Sequence, residues 1–189
     1  MTDASIDPGA HEGREIRRAV ASDVAAVKAV TDAAYRHYIE RIGVVPQPME
    51  ADHAANVAAG RVFVTGEPGI PGIPGESADP AEPVEPAESG GPGAPAGAVA
   101  GLVVVEACED HLFLDSIAVH PDAHGKGVGS RLLAFVEAHA RALGLREVRL
   151  YTNAMMWENQ KIYPKYGYEV VERRVEGPYD RIHYRKRLR

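Results

Sequence analysis

The run His124-Gly125-Lys126-Gly127-Val128-Gly129-Ser130 follows an apolar, alternating stretch (112–119) and precedes an amphipathic one. It therefore reads as a strand-to-helix turn built on three alternating glycines. Without Cβ atoms the chain can curl tightly, and the first N–H groups of a helix have no acceptor inside it, so the turn attracts an anion such as a diphosphate. A single exposed charge–dipole interaction is worth about 0.3–1 kcal/mol, so several converging N–H groups are needed to hold a ligand. A plain tight turn needs fewer glycines than this. The run also lacks the lysine-then-serine ending of a nucleoside-triphosphate loop and does not fit Gly-x-Gly-x-x-Gly.

The length of 189 residues and the 45% apolar content suit one domain with a sizeable core, expected over 14–189 behind a mobile tail at 1–13. Cys108 is the single cysteine, which excludes an internal disulfide framework. No basic-then-apolar leader and no unbroken apolar stretch of about 18 residues occurs, so a cytoplasmic protein that does not engage membranes is expected. The net charge of −6 is local: residues 67–97 carry six acids and no Lys or Arg, and the 21 acids left balance 21 Lys and Arg. A near-neutral remainder without a basic, aromatic-interleaved patch argues against nucleic acid as a partner. Eight Pro and seven Gly in 67–97 predict a disordered loop inserted at a hairpin tip. Such an insertion is tolerable, because doubling a loop costs only about 0.6 kcal/mol. The histidines are scattered without Cys-x-x-Cys companions, and no metal site is expected.

Before the insertion, 15–20 reads as a strand and Ser22 as the cap of a helix carrying Val24, Val27, Val30, Ala34 and Tyr38 at helical spacing. A short helix over 49–59 and a strand over 61–65 follow. After it come a hairpin of strands (98–106, 111–119), a helix with Val128, Leu132, Val136 and Ala140 on one face, and a strand at 147–152. This strand–helix–strand unit should be parallel and right-handed. A helix at 158–166 and two strands hinged at Gly177-Pro178 close the chain. That terminal hairpin leaves a homodimer open.

Val119-His120-Pro121 followed by the glycine run resembles the acetyl-CoA loop of the GNAT superfamily of N-acetyltransferases, Arg/Gln-x-x-Gly-x-Gly/Ala after a Val-x-Pro-like strand end. His124 replaces the usual Arg or Gln. A second motif, Asn159 through Tyr168, is similar to the family's helix ending in Tyr-x-x-x-Gly-Phe/Tyr. The resemblance implies an α/β fold with a mixed, mostly antiparallel sheet that splays into a V between its fourth and fifth strands. It also implies acetyl-CoA as cosubstrate. The backbone of Ile117, Ala118 and Val119 would pair with its pantetheine arm, and His124, Gly125, Lys126, Gly127, Val128, Gly129 and Ser130 would cradle its diphosphate.

By the same resemblance, Tyr163 falls on the family's general acid, since a phenol of pKa near 10 can protonate a departing thiolate at pH 7; the bland alternative is a packing tyrosine. Asn159 either hydrogen-bonds the cosubstrate or substrate, or caps its helix. A primary amine near pKa 10.4 is only about 0.04% unprotonated at pH 7, so a base or desolvation is required. Asp115 is the candidate, on alternation sharing a face with Phe113, Ile117 and Val119. Glu106 and a water chain are the other routes. Tyr35, Tyr38 and Trp157 border the acceptor side or belong to the core. The expected function is direct acetyl transfer to a primary amine, a small molecule in preference to a protein N-terminus or lysine. A non-catalytic acyl-CoA-binding or sensing module is the rival.

Overall fold

The computed structural model describes residues 15–66 and 99–189. The expected tail (1–13) and inserted loop (67–97) lie outside them. One seven-stranded sheet runs through the described residues in the order β1-β2-β3-β4-β5-β7-β6. Its strands are β1 (Ile16–Arg18), β2 (Val62–Gly66), β3 (Val99–Ala107), β4 (Leu112–Val119), β5 (Glu147–Asn153), β6 (Glu169–Glu176) and β7 (Tyr179–Arg187). Every pairing is antiparallel except that of β4 with β5. The helices are α1 (Val24–Tyr35), α2 (Ile39–Ile42), α3 (Gln47–Glu50), α4 (His53–Ala58), α5 (Val128–Ala142) and α6 (Trp157–Lys165).

The two faces of the sheet are covered by different helices, which explains why β3 is apolar along most of its length instead of alternating. On one face α5 lays Val128, Leu132, Leu133, Val136 and Ala140 against Val103, Val105, Leu112, Leu114 and Leu150. Each fully buried side chain of this size contributes about 1.5–3 kcal/mol relative to exposure. On the other face Val27 and Val30 of α1 and Val57 of α4 pack on Val62, Val64, Leu102, Val104 and Ala118. Gly101 of β3 lies beneath the start of α5: a Cβ there would come within 2.8 Å of Val128 Cγ1. Its missing side chain lets the helix N-terminus descend onto the sheet.

Three local expectations change. Ser22 is not the cap of the first helix; the buried Asp23 carboxylate accepts from Val20 N (2.8 Å) and grips Arg17 through two bonds of 2.7 and 2.8 Å. The expected helix over 49–59 is two helices, because Asp52 accepts from Ala55 N at 2.8 Å and starts α4 afresh after an extended Ala51. The third concerns β4, where Val104 faces Ser116 but Val105 faces Leu114, leaving Asp115 as the extra residue of a β-bulge. The bulge reverses the faces. Leu112 and Leu114 belong to the α5 side, yet beyond the bulge Ala118 joins the α1 side while Ile117 and Val119 pack toward α5. Alternation had put Phe113, Asp115, Ile117 and Val119 on one face; the bulge separates the first two from the last two.

Candidate active site

β4 and β5 pair only from Leu112 to Leu114 against Val148 to Leu150 and then diverge. The expected V-shaped splay is present, and a cleft opens in it. The cleft has two lobes that share Tyr35, Ile117, Asn159 and Tyr163. The larger, about 760 Å³, runs along Val119, the glycine loop, and the outer face of α6 through Ile162, Lys165 and Tyr166. The smaller, about 320 Å³, is lined by Gln47 and Pro48 of α3, by Asp115 and Ser116 of β4, and by Tyr151, Asn153, Tyr179 and Arg181.

The loop in the larger lobe is an array of unsatisfied donors. Gly125 and Gly127 adopt φ of 76° and 78°, the left-handed region that costs an L side chain about 1–2 kcal/mol. Gly127 caps α5 without a side-chain bond, and the first bond into the helix is Arg131 N to Gly127 O at 3.1 Å. Among the described residues, the amides of Gly125, Gly127, Val128, Gly129 and Ser130 therefore have no acceptor within the chain. The amides of His124 and Lys126 differ: they are spent on Pro121 O (3.0 Å) and Ala123 O (3.3 Å). The Ser130 and Tyr166 hydroxyls, 2.5 Å apart, join this turn to the end of α6.

On β4, His120 N donates to Ala100 O (2.8 Å), so alternation turns the Ala118 backbone toward β3 and the Ile117 and Val119 backbones toward the open edge. The methyl of Ala118 is in the core. The two edge carbonyls already have donors. Tyr35 OH reaches Ile117 O at 3.1 Å, and His124 Nε2–H reaches Val119 O at 3.2 Å. Here His124, in place of the family's Arg or Gln, ties the loop back to the strand. The two edge amides face the lobe.

Tyr163 is buried on α6, its ring 5.3 Å from that of Tyr184 and 5.8 Å from that of Tyr168. Burial pushes its phenol well above the ordinary tyrosine value, which keeps it protonated. Asn159 does not cap α6; its amide donates to Thr152 Oγ1 on β5 at 2.9 Å. Burial and the Glu106 carboxylate raise the Asp115 carboxyl above the ordinary aspartate range, against the pull of Arg61 and Arg181. Glu106 itself is exposed, 4.0 Å from Arg61, and outside both lobes. Tyr38 lines the larger lobe, while Trp157 is exposed and stacks on Arg41 at 4.6 Å. Cys108 lies in the β3–β4 turn, away from the cleft.

Sequence reading missed two arginines. Arg41 bridges from α2 to Glu158 of α6 with bonds of 3.0 and 2.8 Å, and Arg181 enters the smaller lobe from β7. Both depend on partners more than a hundred positions away, Glu158 and Gln47, so no local pattern announces them.

The splayed parallel pair and the array of free amides place an open strand edge beside an anion-binding turn. The family model described as acetyltransferase (GNAT) domain matches residues 87–170. No curated protein sequence matches the chain. Among solved structures it is similar to the ribosomal-protein-S18-alanine N-acetyltransferase of Escherichia coli, with TM-score 0.63 and 16% identity over 93% of this chain and 94% of that one. It is also similar to the PaiA N-acetyltransferase of Thermoplasma acidophilum in complex with coenzyme A, with TM-score 0.64 and 15% identity over 92% and 98%. The yncA protein of Salmonella typhimurium, solved with its cofactor acetyl-CoA, gives TM-score 0.59 and 16% identity over 93% and 94%. Among the described residues no helix is long and apolar enough to cross a membrane.

Proposed function

We propose that the chain transfers the acetyl group of acetyl-CoA directly to the primary amine of a small molecule held in the smaller lobe. The observation that carries this reading is the junction of the lobes at Tyr163, Asn159, Tyr35 and Ile117, with free amides on one side and Asp115 on the other. A lobe of about 320 Å³ fits a small molecule and lies at the low end of ligand-pocket sizes.

The residues fit the cosubstrate. The amides of Gly125, Gly127, Val128, Gly129 and Ser130 converge where a diphosphate binds, and those of Ile117 and Val119 offer an amide chain the pairing of an added strand. Bound acetyl-CoA supplies a thioester whose carbon accepts the amine and whose sulfur leaves as a thiolate. Tyr163 donates the proton to that sulfur from a phenol kept neutral by burial. Asp115 takes the proton from the amine, its raised affinity for protons making it the stronger base. Holding both reactants in place accounts for about 7–11 kcal/mol of the barrier.

The test is thiol release from acetyl-CoA over a panel of polyamines, amino acids, aminoglycosides and peptides. Turnover with a small amine supports the reading. Turnover confined to peptides moves the acceptor to proteins, and coenzyme A binding without turnover on any amine makes the chain a sensing module.

A further inference from the structure

Apart from tyrosines, the smaller lobe has two ionisable side chains in its wall, Asp115 on β4 and Arg181 on β7. Arg181 is 13% exposed, and its guanidinium lies 4.3 Å from the Tyr151 ring and 5.3 Å from the Tyr179 ring. Glu176 accepts from its Nη1 and Gln47 from its Nη2, and Tyr151 OH donates to the same Gln47 oxygen at 3.1 Å. Glu176 does not line the lobe and is shared with Arg174, 3.3 Å away. The guanidinium is thus gripped from outside and flanked by two rings, and among the described residues only two of its five N–H donors are committed. A clip for the terminal hairpin does not require that Arg181 reach the ligand space. Sharing the lobe with the Asp115 carboxylate, Arg181 gives the lining one acidic and one basic side chain.

We infer that Arg181 receives an anionic group of the acceptor, and that the acceptor is an amine bearing a carboxylate, as in an amino acid, with its ammonium facing Asp115. A guanidinium with fixed orientation recognises a planar carboxylate through paired hydrogen bonds. The inference rests on the acetyl-transfer reading above and deepens it by naming the substrate class.

The experiment compares kcat/KM for amino acids and their decarboxylated partners: phenylalanine with phenethylamine, lysine with cadaverine, tyrosine with tyramine. The wild-type enzyme should favour the carboxylate member by about 10- to 100-fold, the worth of a hydrogen bond to a charged group. In Arg181→Gln the ratio should fall to about one, through KM for the amino acid, and Arg181→Lys should restore part of it. A purely structural arginine would lower both members of each pair alike. The wild-type ratio decides even where the variant fails to fold. Equal use of both members, or preference for the bare amines, overturns the inference and leaves acetyl transfer standing. Silence across every pair and the wider panel overturns both.

Discussion

The Tyr35 hydroxyl donates to the Ile117 carbonyl at 3.1 Å, across 82 positions of sequence. The bond anchors the end of α1 to the open edge of β4 just beyond the bulge, where the two lobes meet. Tyr35→Phe should lower stability by about 1 kcal/mol, the net worth of one hydrogen bond with a buried partner. Urea unfolding should show a lower midpoint at unchanged m-value. An unaltered midpoint means the bond is replaced by water at no cost.

Removing the Tyr163 hydroxyl should separate chemistry from binding. Tyr163 lines both lobes where they meet and lies on α6, outside the glycine loop, so Tyr163→Phe should reduce kcat by about 10²-fold or more while the Kd for coenzyme A stays within twofold. Retained turnover would take this phenol out of the proton path.

Two glycines should fail for different reasons. Gly127→Glu places a carboxylate in the cradle at a φ of 78°, so calorimetry should show coenzyme A binding lost, with about 1–2 kcal/mol of strain beside it. Gly101→Ala brings a methyl within 2.8 Å of Val128 Cγ1 and 3.2 Å of the Ala118 carbonyl, at a position that lines neither lobe. Overpacking of about 1–3 kcal/mol should lower the Tm and weaken coenzyme A binding indirectly, by lifting the first turn of α5. Full affinity in Gly101→Ala would show that the height of that turn is not critical.

The half-buried Asp115 should leave a signature in both stability and rate. Its proton is held more tightly in the native chain than in the unfolded one. In that window the native state binds more protons, so this residue's contribution to stability falls as pH rises through the two values. Asp115→Asn should be more stable than wild type at pH 7, and the difference should vanish below about pH 4. Wild-type kcat/KM should rise as Asp115 deprotonates, and that acidic limb should disappear in the variant. The same profile in both proteins would leave the base to water.

Local chemistry made much of this molecule legible in its residues. The strand, the glycine turn and the helix of residues 112–142 announce themselves because alternation, missing Cβ atoms and 3.6-residue spacing are properties of neighbours. From these alone the amide array and the order of the elements follow. The sequence could not reveal that Asp115 is a bulge, since that depends on the register of β3 against β4, nor that Ile117 consequently faces α5. Nor could it show that Arg181 and Gln47 meet at the small lobe, 134 positions apart. Such relations are decided by how sheet and helices pack as a whole, because a side chain's partner across a fold is chosen by the three-dimensional path of the backbone and not by its neighbours in the chain.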